Sequence, residues 1–280
     1  MIFGKLKKGI VNSLKAIVFL LKNGGATYAN ISQVNYGGIL EGKTILITGG
    51  TSGIGLAIAK KALSEKANVI VTGRSKEKLE RLREAVKNDR LKTMQWDVGN
   101  TSKVSSYIEE ADSLFGKVDV LINNAGVLLE QKFPNVSEES WDETYKINSK
   151  SVFFLCQTIS KHWINSQQPG KIINISSTSG FYGSVIPYGM TKWDIVGLTE
   201  GLAKRLIKDG IVVNGIAPGR TATGMLGRNS DGNIYDANTL PKRFALPEEV
   251  SELALFLISD ASNFIVGQTI ICDGGYSLEL

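Results

Sequence analysis

Tyr188 and Lys192 stand four residues apart in YGMTK, within a segment whose pattern predicts a helix from about residue 187. Residues four apart share one face of a helix, with Cβ atoms about 6 Å apart. A phenol is a poor acid near neutrality, with a pKa of about 10. A neighbouring ammonium favours the phenolate and lowers that value, which makes tyrosine a usable proton donor or acceptor. Taken alone, such a pair is common in helices. Its weight depends on what else the chain brings to the same place.

A second stretch has chemical content of another kind. Residues 48–55, TGGTSGIG, come straight after the apolar run TILI and lead into the helical pattern IGLAIAKKAL. A glycine turn between a strand and a helix aims backbone N–H groups and the positive helix end at one point, where a phosphate binds well. Gly49 permits the tight turn, and Gly53 and Gly55 let a pyrophosphate and the neighbouring strand come close with no Cβ between. At the end of the next strand, TGRSK offers Gly73 where an acid would hold a ribose 2′-hydroxyl, then Arg74. A cation there favours a 2′-phosphate, so Arg74 predicts a preference for NADP(H) over NAD(H).

The elements that must position these groups are legible as alternation. Short apolar runs at 44–48, 68–73, 91–96, 118–123, 171–176, 211–216 and 268–272 are separated by helix-length segments beginning near 53, 76, 101, 137, 187 and 247. Strands alternating with helices mean right-handed crossovers and a parallel sheet covered on both faces. Several runs are rich in Val and Ile without clean alternation, as expected of strands buried on both sides. The expected fold is α/β: a doubly wound Rossmann-type parallel sheet of about seven strands with helices on both faces. It forms a single domain over 40–280, preceded by an N-terminal amphipathic helical extension. Ligands of such a sheet lie beyond the carboxyl ends of the strands.

Composition narrows the function classes. The 280 residues carry a formal net charge of +5, yet residues 1–40 hold five lysines and no acid, and the rest of the chain balances. A neutral body argues against nucleic-acid binding, which needs a basic face. Cys156 and Cys272 are far apart and outside any CxxC pair, so a reducing, cytoplasmic setting is expected. His162 is the only histidine and reads as a helix-surface residue; no metal cluster is expected.

In residues 1–25, Phe3, Leu6, Ile10, Leu14, Ile17 and Leu21 fall within an arc of roughly 80° on a helical wheel, with Lys5, Lys8, Lys15 and Lys22 opposite. The segment is too short and too charged to span a bilayer, which takes ~20 apolar residues. A basic start, an apolar middle and ATYA also fit a signal peptide, against which Lys15 interrupts the middle. The other readings are peripheral contact with an anionic membrane surface, or packing of the apolar stripe on the body or another subunit. Residues 26–39 are expected to be a connector, with Gly37 and Gly38 marking the boundary.

In one order along the chain come TGGTSGIG, NNAG (123–126), INSKS around Asn148, NISSTSG (174–180), YGMTK, VNGIAPG (213–219) and DGG (273–275). Together they resemble the classical short-chain dehydrogenase/reductase family, in particular its NADP-preferring, 3-oxoacyl-reductase-like members, over essentially all of 40–280. The resemblance implies that Tyr188 is the catalytic acid/base, and that Lys192 lowers its pKa and bonds the nicotinamide ribose. It implies that Asn148 holds a water in the proton relay, and that a serine of NISSTSG polarises the substrate carbonyl. Ser177 fits that role, because Gly180 follows three residues later; Ser176 is the rival. The eleven-residue gap from Ser177 to Tyr188 is slightly short for the family.

For the cofactor, NADP(H), the resemblance points to the turn residues Gly49, Thr51, Ser52, Gly53, Ile54 and Gly55, and to Arg74. Asp97 and Val98 would lie at the adenine. Asn124, Ala125 and Gly126, with Asn123 before them, would line the cleft and steady the sheet. Tyr188, Lys192, Pro218, Gly219, Thr221 and Thr223 would lie on the nicotinamide side. The implied activity is hydride transfer between nicotinamide and a carbonyl or secondary alcohol, in a homo-oligomer, a tetramer or dimer. The alternatives are a sugar-nucleotide-modifying enzyme or a non-catalytic dinucleotide-binding protein on the same scaffold. Residues 220–246 are expected to form a substrate lid, in which Met225, Leu226 and Tyr235 offer apolar contact and Arg220, Arg228 and Arg243 could meet an anion.

Overall fold

The computed structural model describes residues 13–15, 17, 18, 20 and 24–278. Seven parallel strands form one sheet: β1 (Thr44–Thr48), β2 (Asn68–Gly73), β3 (Leu91–Gln95), β4 (Val120–Asn123), β5 (Gly170–Ile175), β6 (Ile211–Pro218) and β7 (Thr269–Cys272). Their order across the sheet is β3-β2-β1-β4-β5-β6-β7. The order reverses between β1 and β4, and a doubly wound sheet opens its ligand crevice at that point.

Among the described residues, seven α-helices cover the sheet: α1 (Gly53–Ser64), α2 (Lys76–Val86), α3 (Val104–Phe115), α4 (Glu138–Tyr145), α5 (Ser151–Asn165), α6 (Pro187–Leu206) and α7 (Pro247–Ile258). Within β1, Ile45 and Ile47 join a core with α1, α2 and α7, while Leu46 joins a second core with α3, α5 and α6. Both faces are apolar, which is why the strands read as continuous hydrophobic runs.

Helix starts follow local chemistry. Ser75 Oγ accepts the Lys78 N–H at 3.2 Å ahead of α2, and Ser137 Oγ accepts the Ser140 N–H at 3.2 Å ahead of α4. Pro187 and Pro247 occupy first-turn positions of α6 and α7, where a missing N–H costs nothing. The helix expected from residue 101 opens as a 3₁₀ turn, Thr101–Lys103, before α3. The long helix expected from residue 137 is interrupted by a π turn, Lys146–Lys150, between α4 and α5. A π turn leaves no trace in hydrophobic periodicity, so the sequence reading passed over it.

Of the N-terminal extension, Phe3, Leu6, Ile10, Leu21 and all its lysines except Lys15 lie outside the described residues. Leu14, Ile17, Val18 and Leu20 are helical and exposed. The expected connector proves to be bound to the body along its length. The Tyr36 and Gly38 N–H groups both donate to the Glu65 carboxylate at 3.0 Å, and Lys61 Nζ donates to the Val34 carbonyl. Among the described residues, no helix is long and apolar enough to cross a membrane.

Candidate active site

The glycine turn sits where β1 delivers it, facing β4. Gly49 has φ +66°, a left-handed conformation that side chains rarely adopt. A Cβ at Gly55 would lie 2.4 Å from Asn124 Nδ2, which donates to the Thr48 and Gly49 carbonyls at 3.0 Å each. Thr48 Oγ1 accepts the N–H groups of Asn124 and Ala125 at 3.1 Å. Gly55 therefore makes room for the loop after β4, and that loop braces the turn. Gly53 faces Thr223 across the crevice, with 3.2 Å between its would-be Cβ and Thr223 Cγ2.

Whether a dinucleotide suits these residues can be judged from the turn. Ser52 makes no side-chain cap on α1, and the first turn of that helix carries no acid. Its N-terminal N–H groups and positive end are thus left for an anion, with Thr51, Ser52 and Ile54 around them. The donor set fits a pyrophosphate. At the end of β2, exposed Arg74 lies 4.0 Å from Glu143, a loose surface pair. Asp97 is exposed after β3 and accepts the Gly99 N–H at 3.0 Å, while Val98 is buried. Asn123 does not line the crevice: it is buried and donates to Asn174 Oδ1 at 2.8 Å, so it steadies the sheet alone. Pro218 ends β6, Gly219 donates to the Cys272 carbonyl at 3.0 Å, and Thr221 is buried with Oγ1 on the Gly219 carbonyl at 3.1 Å.

At the far end of the crevice the structure brings Asn148, Ser177, Tyr188 and Lys192 together. Asn148 lies in the π turn; a π bulge re-aims side chains and is frequent at functional sites. Its amide donates to the Val127 carbonyl and accepts the Val127 N–H, both at 2.8 Å, and reaches Thr191 Oγ1 at 3.4 Å. The Asn148 side chain therefore holds the loop after Gly126 against α6. Ser176 and Ser177 separate cleanly. Ser176 Oγ is buried and donates to the Lys192 carbonyl at 2.9 Å, whereas Ser177 Oγ accepts the Ser179 N–H at 3.2 Å and lies near enough the Tyr188 phenol to pull its pKa down against burial. Gly180 explains the spacing: a Cβ there would lie 2.6 Å from the Lys192 carbonyl oxygen, so the serine turn packs directly on α6. The slightly short loop from 181 to 186 still delivers this contact.

The electrostatics differ from expectation. The Tyr188 phenol lies above its ordinary value, because burial raises it, the Ser177 hydrogen bond opposes and Tyr182 adds to the rise. Lys192 is pushed down to about 8 by burial. Its Nζ sits 5.5 Å from the centroid of the Tyr188 ring and donates to the Ile175 carbonyl at 3.0 Å. The ammonium is near the phenol without offsetting the cost of burying it.

Two positioning residues escaped the sequence reading. Gln131 Oε1 accepts the Tyr188 N–H at 3.0 Å while its Nε2 donates to Thr144 Oγ1 at 2.6 Å, tying the start of α6 to α4. Thr191 Oγ1 donates to the Tyr188 carbonyl at 2.7 Å. Thr191 lay inside the YGMTK stretch and could have been noticed; nothing local marks Gln131.

In the segment expected as a lid, 220–246, the arginines that could meet an anion have protein partners. Arg220 pairs with the buried carboxylate of Asp236, and Arg243 grips Glu249 with two hydrogen bonds of 2.7 Å. Arg228 lies over the Phe244 ring, 5.3 Å from its centroid. Met225 and Leu226 remain exposed. Cys156 and Cys272 are both free thiols, and burial pushes Cys156 up to about 12. His162 pairs with Asp112 at 2.6 Å, away from the site.

Known proteins resemble this chain over most of its length. The family model described as short chain dehydrogenase matches residues 43–233. The 3-oxoacyl-(acyl-carrier-protein) reductase FabG of Aquifex aeolicus is 35% identical over 243 residues, covering 84% of this chain and 98% of that protein. The solved structure of ElxO with NADP bound matches with a TM-score of 0.77 and 29% identity, over 85% of this chain and 99% of that one. The 3-ketoacyl-(acyl-carrier-protein) reductase from Brucella melitensis complexed with NADH matches with a TM-score of 0.78 and 29% identity, over 85% and 100%. With the family model over more than half of the chain and a relative 35% identical over 84% of it, the chain belongs to the classical short-chain dehydrogenase/reductase family.

Proposed function

We propose that this protein is an NADP(H)-dependent oxidoreductase that transfers a hydride between nicotinamide and a carbonyl or secondary-alcohol substrate, with Tyr188 as acid/base. The observation that carries the reading is the placement of the buried Lys192 Nζ 5.5 Å from the centroid of the Tyr188 ring, at the end of β5 that leads into Ser176 and Ser177. The dinucleotide, when bound, supplies or accepts the hydride. The chain's own residues do the rest. Two hydroxyl donors, Ser177 and Tyr188, aim at one oxygen position, where they stabilise growing negative charge by a few kcal/mol each. Tyr188 supplies the proton, and a phenol above its ordinary value is fully protonated at neutral pH, which suits carbonyl reduction. Lys192 adds positive charge beside the phenolate left behind. Asn148, through Val127, and Gln131, through the Tyr188 N–H, keep these groups in register.

Cofactor choice rests on Arg74. Gly73 leaves no carboxylate at the end of β2, and the similar structures include one with NADP and one with NADH. The exposed guanidinium favours a 2′-phosphate. Titrating NADPH and NADH against intrinsic fluorescence tests this: NADPH binds more tightly, and Arg74→Ala narrows the difference by about tenfold, as expected for one charge-assisted contact. Tighter NADH binding by the unaltered protein would overturn the preference. The substrate reading is tested by a panel of carbonyl compounds with NADPH absorbance; an inert protein that still binds NADPH would favour the non-catalytic reading.

The assembly we infer is a homo-oligomer, dimer or tetramer, through α4–α5 and α6, where Trp141, Phe153 and Trp193 are exposed. The setting we infer is cytoplasmic, from the two free thiols. Residues 1–25 are the stretch that would meet an anionic membrane surface, and 1–39 and 40–280 are read as extension and reductase domain.

A further inference from the structure

Residues 24–38 bind the body at several places, and the first is the segment read as the lid. The Thr27 N–H donates to Asn233 Oδ1 at 2.8 Å, and the Thr27 carbonyl accepts the Ile234 N–H at 2.9 Å. Asn233 Nδ2 donates to the Gly25 carbonyl at 3.2 Å, and Oδ1 also accepts the Tyr235 N–H at 3.0 Å. One side chain thus joins three backbone groups on segments some two hundred residues apart. The Tyr235 ring lies on Gly25 so closely that a Cβ there would be 2.5 Å from Cε2. Ala29 and Ile31 then cover the small apolar cluster of Ala222, Ile234, Phe244 and Leu246. The second place is α1, through Lys61 and the buried carboxylate of Glu65.

From Ile234 the connection runs inward. The Ile234 carbonyl accepts the Phe244 N–H at 2.7 Å; Ala245 N–H donates to Arg220 and Ala222 N–H to Ala245, both at 2.9 Å. Arg220 also pairs with Asp236. Thr223 follows at once, facing Gly53 of the phosphate turn. The stretch from 227 to 243 holds no helix or strand of its own, so its shape depends on such ties. The family model begins at residue 43, after the strap ends.

We propose that residues 24–38 are a strap that positions the substrate lid, with Asn233 as the positioning residue, so that this N-terminal segment sets the affinity for the carbonyl substrate. The proposal rests on the reductase reading in taking 220–246 as the lid. Asn233 does not touch the reacting atoms; it acts through Ile234, Phe244 and the turn after β6.

The test uses full-length variants. Asn233→Ala removes the tie from the lid side, and Gly25→Ala displaces Tyr235 from the strap side. Asn233→Asp keeps the acceptor for Thr27 and Tyr235. Kinetics are read with an acetoacetyl thioester and NADPH, and amide exchange by mass spectrometry. Asn233→Ala and Gly25→Ala are each expected to raise KM about fivefold with kcat within about twofold, the worth of roughly one net hydrogen bond. Asn233→Asp recovers most of the loss. Exchange at Ile234, Phe244 and Ala245 rises about tenfold, as for a local opening rather than global unfolding. An unchanged KM in both variants, or a lowered Tm with no split between KM and kcat, would reduce the strap to inert packing. Should the thioester not be turned over, the reductase reading loses support, while exchange still decides: slow exchange at those amides in Asn233→Ala overturns the strap.

Discussion

The Lys192 ammonium donates to the carbonyl oxygen of Ile175 at 3.0 Å, anchoring a helix side chain to the end of β5. Burial holds this lysine down to about 8, so its charge is lost as pH rises through that value. Activity that needs the cation should fall with it. The kcat/KM for reduction is expected to decline with an apparent pKa near 8. Lys192→Met should abolish that limb and lower kcat by about 10²–10³. Stability moves the other way. The unfolded chain holds more protons between about 8 and the ordinary lysine value, so this residue's contribution rises with pH across that window. Comparing Tm of the two proteins from pH 7 to 10 checks the sign.

Tyr188 makes a prediction of direction. Its phenol lies above the ordinary range, so the proton is present at neutral pH and reduction is served directly. Oxidation of an alcohol needs the phenolate and should accelerate steadily toward alkaline pH until the loss of Lys192 charge intervenes. Tyr188→Phe is expected to cost about 10²–10⁴ in kcat while leaving NADPH binding nearly intact. Stopped-flow turnover and fluorescence titration on the same preparation separate the two effects.

The adjacent serines should respond in opposite ways. Ser177→Ala removes the hydroxyl that meets Tyr188 and should lower kcat by about 10²–10³ at little cost in Tm. Ser176→Ala removes the second hydrogen bond to the Lys192 carbonyl, which stays in the α6 ladder, and should cost about 1 kcal/mol of stability, with kcat affected far less. Denaturant titration beside steady-state kinetics distinguishes them, and the reverse outcome would make Ser176 the working serine.

Gly55→Ala tests the bracing of the glycine turn. The added methyl would stand 2.4 Å from Asn124 Nδ2 and 2.8 Å from the Gly49 carbonyl oxygen, both on packed elements. We expect a loss of about 1–3 kcal/mol, as for overpacking, and weaker NADPH binding. Calorimetry with and without NADPH reads both.

Glu65 gives the strap a pH signature. Burial pushes its carboxyl up, but the N–H groups of Tyr36 and Gly38 and the Lys61 ammonium outweigh that, and the net direction is down. A depressed carboxyl stabilises the fold fully above its unfolded value, about 4.3, and loses that contribution as pH falls through the lower folded value. The stability difference between the unaltered protein and Glu65→Gln should therefore be constant from pH 5 to 8, on the order of 1–3 kcal/mol, and shrink below about pH 4. A constant difference down to pH 3 would refute the coupling.

Local patterns carried much of this protein's description. Alternating apolar runs foretold all seven strands, because a strand buried on both faces must be continuously hydrophobic. The glycine turn after β1 and the Tyr188–Lys192 pair were legible for the same reason: their geometry is set within a few residues of backbone. Other features depend on groups that meet only after folding. Which serine faces Tyr188 follows from how the turn at Gly180 packs on α6. The rise in the phenol's pKa follows from burial, which no neighbour in sequence reveals. Arg220 and Arg243 looked free for an anion until Asp236 and Glu249 came within reach. Asn148 sits in a π turn that periodicity cannot show. The apparent linker became a strap because Asn233, two hundred residues away in sequence, meets Gly25 and Thr27 in space. Sequence determines what the backbone can do locally; desolvation and long-range hydrogen bonding, the terms that tune this site, exist only once the chain has closed on itself.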